Sequence, residues 1–267
     1  MKRLIFITMA VITVGACGDD SQEAPRYEVP IYTDGSSLVS VETDRGYEVE
    51  IKEVIHRVES VEFTVGGETH ASLSPVQRLY HALVPDAVAH PNHAASGEVA
   101  GALDGPLILA YRQGEVLEMG RGAFLEGQYA GYNLKFYGGD DAHEPDVQDH
   151  FHIDLQPAAD LMALHRGVVR DGEGNEYELV AEVTFSSFSE VYGGAISFEV
   201  PGAKESGIAL TLEPYDEWDD APLYDMAFSD LVGDDGVIRI NEDTNGHALL
   251  RTALGSHHYY GGHPLDP

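Results

Sequence analysis

Three groups of histidines stand out because their spacing suits metal coordination. In His90-Pro91-Asn92-His93, Pro fits the second position of a β-turn and Asn tolerates the third. The two imidazoles then fall at the turn's ends, with α-carbons within about 7 Å, close enough to share one ion. His150-Phe151-His152 lies in a strand-like run, where alternate residues face the same way. His150, His152 and Asp154 therefore project from one side. His257 and His258 follow a helical segment in a Gly- and Tyr-rich tail that also holds His263. Imidazole there also suits the exposed carbonyls of a helix end. The chain has 13 histidines, and seven of them belong to these groups. Imidazole favours Cu or Zn, and nothing in the spacing separates the two.

His70 is the fourth candidate. Val61–Val65 and Glu68–His70 flank Gly66-Gly67, a two-residue hairpin signal. In that register Phe63 faces His70, which shares a face with Val61, Phe63 and Val65. That surrounding suits a hydrogen-bonded core histidine as well as a ligand. Each histidine group also reads plainly as exposed loop or strand surface.

Other chemistries have less support. Asn241–Gly246 imitates the first half of a calcium loop, but its twelfth position is Thr252 rather than Glu, and no helix precedes it. No Gly-x-Ser-x-Gly elbow or phosphate-binding Gly loop occurs, and no catalytic residue is named; the enzyme question stays open only for a histidine-held hydrolytic metal, which needs an open coordination position and a general base. Nothing calls for an organic cofactor. Asp and Glu number 46 against 15 Lys and Arg, a formal charge of −31. Such a surface repels phosphate backbones, which argues against nucleic-acid partners, and it attracts cations.

The start of the chain says where the protein resides. Lys2 and Arg3 precede an apolar run from Leu4 to Ala16, too short to span a bilayer, which ends Val14-Gly15-Ala16-Cys17. This layout resembles the signal peptide and lipobox of bacterial lipoproteins. The resemblance implies that residues 1–16 are removed and that Cys17, the only cysteine, carries lipid. A membrane partner reached through that lipid and a cell-envelope location facing the periplasm or cell surface follow. Loss of Lys2 and Arg3 takes the formal charge from −31 to −33.

The remaining elements must position the histidines. Residues 17–40, acidic and rich in Ser, Gly and Pro, read as a flexible stalk, leaving 41–267 as one β-rich domain. Tyr47–Ile51 alternates in one parity and Val54, His56 and Val58 in the other, which predicts a bulge near Glu53. Ser74-Pro75 opens a short helix ending before Pro85. Strands are expected at 97–103, 106–111, 115–125, 128–137, 150–155, 161–169, 176–185, 195–200, 208–213 and 237–240. Breaks fall at Gly pairs, among them Gly193-Gly194. A final helix opens at Asn245-Gly246-His247, with Leu249, Leu250, Ala253 and Leu254 on one side, and stops at Gly255. Glycine, at 29 of 267 residues, fits many tight turns. The fold class is all-β: an antiparallel β-sandwich or irregular barrel with one or two short helices, one near the C-terminus.

Leu223-Tyr224-Asp225-Met226-Ala227-Phe228, then Asp234-Asp235-Gly236 and the short final helix, resembles periplasmic copper-binding proteins associated with methanobactin. That resemblance implies a copper-binding β-domain and transfers no ligand residue. The expectation is therefore a lipid-anchored extracytoplasmic protein that binds divalent Cu or Zn through clustered histidines. The rival is a non-catalytic cell-envelope sandwich for adhesion or assembly.

Overall fold

A computed structural model describes residues 24–65, 98–136, 161–184, 190–217 and 219–265. Among them are fourteen strands: β1 (Arg26–Asp34), β2 (Ser40–Glu42), β3 (Glu48–Val65), β4 (Glu98–Arg112), β5 (Val116–Leu125), β6 (Gly127–Phe136), β7 (Leu161–Arg170), β8 (Glu176–Thr184), β9 (Glu190–Val200), β10 (Ile208–Leu212), β11 (Tyr215–Asp216), β12 (Ala221–Pro222), β13 (Val237–Ile240) and β14 (Tyr260–Pro264). One α-helix, α1 (Asn245–Leu254), precedes β14.

Eight strands close on themselves in the order β3-β4-β5-β1-β10-β14-β9-β6 and back to β3. Most pairs are antiparallel, but β1 with β10 and β14 with β9 run parallel. The all-β reading therefore holds, as a mixed barrel rather than an antiparallel sandwich. The 18-residue β3 allows both closure and extension. Its first half pairs with β7, and its second half pairs with β6 along the same edge. Strands β7, β8 and β13 continue the sheet beyond the barrel. Register shifts at Ile51/Glu53, Val58/Ser60 and Phe63/Thr64 bend β3 between these two tasks. The first lies where the change of parity predicted it.

The barrel is filled by aromatic rings. Phe63 and Phe124 have centroids 4.9 Å apart, and Tyr129 and Phe198 stack at 4.7 Å with planes 3° apart. Glycines make room for them. A β-carbon on Gly101 would stand 2.2 Å from Phe124 Cδ1, and one on Gly194 2.6 Å from Tyr132 Cε1. Gly193-Gly194 therefore lies inside β9, not at a break: the absent side chain is space taken by Tyr132.

The start of the domain also needs correcting. Residues 26–34, assigned to the stalk, form β1 in the barrel wall between β5 and β10. Val29 and Ile31 are fully buried. Pro30 concealed the strand, but it sits one residue ahead of the point where β10 joins. Gly66, Gly67 and His70, on which the expected hairpin falls, lie outside the described residues. Phe63 itself pairs with Gly101 on one edge and with Tyr132 on the other.

Helix α1 packs on β8 and β13 through Gly246, His247, Leu250 and Leu254. Leu249 points outward at 53% exposure, so the buried stripe is rotated from the expected one. The histidine takes the place given to leucine because His247 Nε2 accepts the Thr184 N–H at 3.1 Å, closing the end of β8. No helix among the described residues is long and apolar enough to cross a membrane.

Candidate functional site

Strands β10 and β14 are antiparallel neighbours, with Leu212 beside Tyr260. The chain leaving β10 and the chain entering β14 therefore meet at one end of the barrel. The first is the acidic stretch after Leu212, folded into the small β11–β12 hairpin, with Asp216 opposite Ala221. The second is the 3-10 turn His257–Tyr259, where Ser256 Oγ accepts the His258 N–H. A backbone bond from Glu213 N–H to Tyr259 O, 2.9 Å, locks the two together.

Asp216, Asp219 and His258 come together there. Asp216 Oδ2 is 2.7 Å from His258 Nδ1, and Asp219 Oδ2 is 3.5 Å from the same nitrogen. One donor atom from each residue fits within a 4.8 Å span. Asp216 Oδ1 accepts the Asp219 N–H at 3.3 Å, which fixes the loop tip. The side chains of Asp216 and His258 are 3% and 9% exposed, while Asp219 is 53% exposed and faces solvent. The His257 ring stands edge-on to His258 at 4.3 Å. Donor atoms around a four- to six-coordinate ion with bonds of about 2.0–2.2 Å lie roughly 2.8–3.6 Å apart, so the 3.5 Å separation suits such an ion, while the 2.7 Å one is a hydrogen-bond distance that an ion would open slightly. The same contacts form a hydrogen-bonded histidine–carboxylate pair without one.

Of the sequence candidates, His258 is at this centre and His257 adjoins it. His263 is elsewhere, with Nε2 3.0 Å from Asp34 Oδ2. His70, His90, His93, His150, His152 and Cys17 lie outside the described residues. The calcium-like stretch is a turn leading into α1: Asn241 N–H donates to Thr244 Oγ1, and Asp243 N–H to Asn241 Oδ1.

A second polar group occupies the interior. His56 on β3 and His165 on β7 are both fully buried, with Nε2 atoms 3.4 Å apart. The registers Val54 opposite His165 and His56 opposite Ala163 place them diagonally across one ladder. His165 Nδ1 bonds to the buried Tyr224 hydroxyl, on the segment that leaves the β11–β12 hairpin. Burial holds His56 neutral, its pKa lowered to about 3. Burial and then the neighbouring His56 hold His165 well below the usual imidazole range, and burial holds the Tyr224 phenol well above its own.

Sequence reasoning missed Asp216, Asp219, His56, His165 and Tyr224 as site residues. The acidic run from Glu213 to Asp220 was visible but offered too many carboxylates to choose from. His56 was visible as the polar member of the Val54–Val58 alternation. No protein-family model, curated protein or solved structure matches this chain.

Proposed function

We propose that this protein is a lipid-anchored extracytoplasmic binder of a divalent transition metal, with Asp216, Asp219 and His258 as ligands. The observation that carries the reading is the convergence of their donor atoms within 4.8 Å on one rim of the barrel. One imidazole and two carboxylates form a harder donor set than a cluster of histidines. That set suits Zn²⁺ or Cu²⁺ and disfavours Cu⁺. The formal charge of −31, or −33 once Lys2 and Arg3 are lost, concentrates cations around it. Asp219, the exposed member, gives an ion a way in. The anchor is Cys17: eight residues separate it from Arg26, a reach of at most about 30 Å, so the barrel works close to a membrane.

A second reading rests on the 2.7 Å His258–Asp216 contact, which by itself pins the 3-10 turn to the hairpin. One experiment separates the two. Purified tag-free mature protein is loaded with Zn²⁺ or Cu²⁺, desalted and measured by inductively coupled plasma mass spectrometry beside Asp219→Asn. Metal binding predicts about one equivalent in the wild type and a large loss in the variant, with unchanged folding. Less than a tenth of an equivalent in the wild type overturns it and leaves the pair as a structural clasp.

A further inference from the structure

Among the described residues, His56 Nδ1 and Tyr111 Oη are buried polar atoms inside the barrel with no hydrogen-bond partner. Both residues are fully buried, on the paired strands β3 and β4, and their rings meet edge-on with centroids 5.9 Å apart. Phe136 and Tyr260 flank the same imidazole at 5.4 and 6.0 Å, and the Tyr260 hydroxyl is already committed to Leu254 O. Leaving a buried donor or acceptor unmet costs about 1–3 kcal/mol, so two such atoms on touching rings point to a shared guest.

The 3.4 Å separation of His56 and His165 Nε2 also resembles the edge of a coordination tetrahedron, so an ion between them has to be weighed. Ligand count decides against it. Two imidazole nitrogens fill half of a four-coordinate site, and among the described residues no cysteine, carboxylate or third histidine joins them in a metal-sized group. A neutral guest needs only the hydrogen bonds that the two unpartnered atoms can supply.

We infer that a single water molecule sits between His56 Nδ1 and Tyr111 Oη and completes a hydrogen-bonded chain through Tyr224, His165 and His56. Its direction follows from counting protons. When Tyr224 O–H donates to His165 Nδ1, His165 Nε2–H donates to His56 Nε2, and His56 Nδ1–H is left to donate to the water. The reverse order leaves the Tyr224 hydroxyl proton without an acceptor and strands one more group. The water receives the His56 proton and bonds to the Tyr111 hydroxyl, two of the two to four contacts a buried water needs. The chain ties β3, β4 and β7 to the segment after the β11–β12 hairpin, so it joins the barrel wall to the loop that carries Asp216 and Asp219.

The test is NMR on metal-free full-length mature protein labelled with ¹⁵N. Long-range ¹H–¹⁵N correlation should show His56 protonated at Nδ1 and His165 at Nε2. A rotating-frame cross-peak should link the His56 Nδ1 proton to a slowly exchanging water. In Tyr111→Phe the water loses a partner: the cross-peak weakens or vanishes, and the folding equilibrium constant falls about tenfold. His56 protonated only at Nε2, absence of the water cross-peak in the wild type, or a Tyr111→Phe variant as stable as wild type would overturn the inference. Retention of added Zn²⁺ that shifts both Nε2 resonances would overturn it in favour of an ion. None of these outcomes depends on whether Asp216, Asp219 and His258 bind metal.

Discussion

The buried imidazole pair makes folding depend on pH below neutrality. His56 and His165 are neutral in the native state, and each takes up a proton near pH 6.5 once unfolded. Below that pH the unfolded chain binds more protons than the native one, so stability falls as pH falls. The loss continues until the native pKa is reached, which for His56 is about 3. Between pH 7 and pH 5, integration gives about 2 kcal/mol for His56, and His165, held below the usual imidazole range, adds a loss of the same sign. That is a large share of the 5–15 kcal/mol typical of a folded domain. The assay is urea unfolding at pH 7, 6 and 5 on the wild type and His56→Phe, followed by far-UV circular dichroism. The substitution will have a packing cost of its own, but that cost does not vary with pH. Titration of the exposed histidines is common to both proteins and cancels in the difference. The fall in stability from pH 7 to 5 should be about 2 kcal/mol smaller in His56→Phe than in the wild type. Parallel curves would mean that His56 is not held neutral in the native barrel.

Other consequences can be checked by similar means. Ile31→Ala should destabilise the fold by about 2–5 kcal/mol in chemical denaturation, whereas a residue in a flexible stalk would cost nothing. Leu250→Ala should cost about as much, while Leu249→Lys should stay within roughly 0.5 kcal/mol of wild type, which checks the face that α1 buries. Gly101→Ala places a methyl against the Phe124 ring and should cost about 1–3 kcal/mol of thermal or denaturant stability. For the anchor, Cys17→Ala should move the protein expressed in bacteria from the detergent phase to the aqueous phase on Triton X-114 partition; equal partition of both forms would count against lipidation.

How much was legible depended on whether the governing contact was local. The bulge near Glu53 showed because the change of parity is written in the strand itself. The limits of β5, β6, β7, β8 and β13 showed nearly as well, because alternation bounded by turn residues is a local property. Strand β1 did not, since Pro30 and its acidic neighbours resemble a linker unless β5 and β10 are known to lie on either side. Gly193-Gly194 looked like a turn because the ring that needs the space, Tyr132, is some sixty residues away in sequence. The site follows the same rule. His258 was noticed by its local grouping, but Asp216 and Asp219 reach it only because β10 and β14 run side by side, a pairing about fifty residues apart. His56 and His165, more than a hundred residues apart, are neighbours only across the β3–β7 ladder.

The most direct test of the functional account is anomalous diffraction from crystals of the mature protein grown with one equivalent of Zn²⁺, recorded on both sides of the zinc absorption edge. The account predicts a peak at about 2.0–2.2 Å from a carboxylate oxygen of Asp216, a carboxylate oxygen of Asp219 and an imidazole nitrogen of His258. A map with no peak there, or with zinc held only by other histidines, would contradict it.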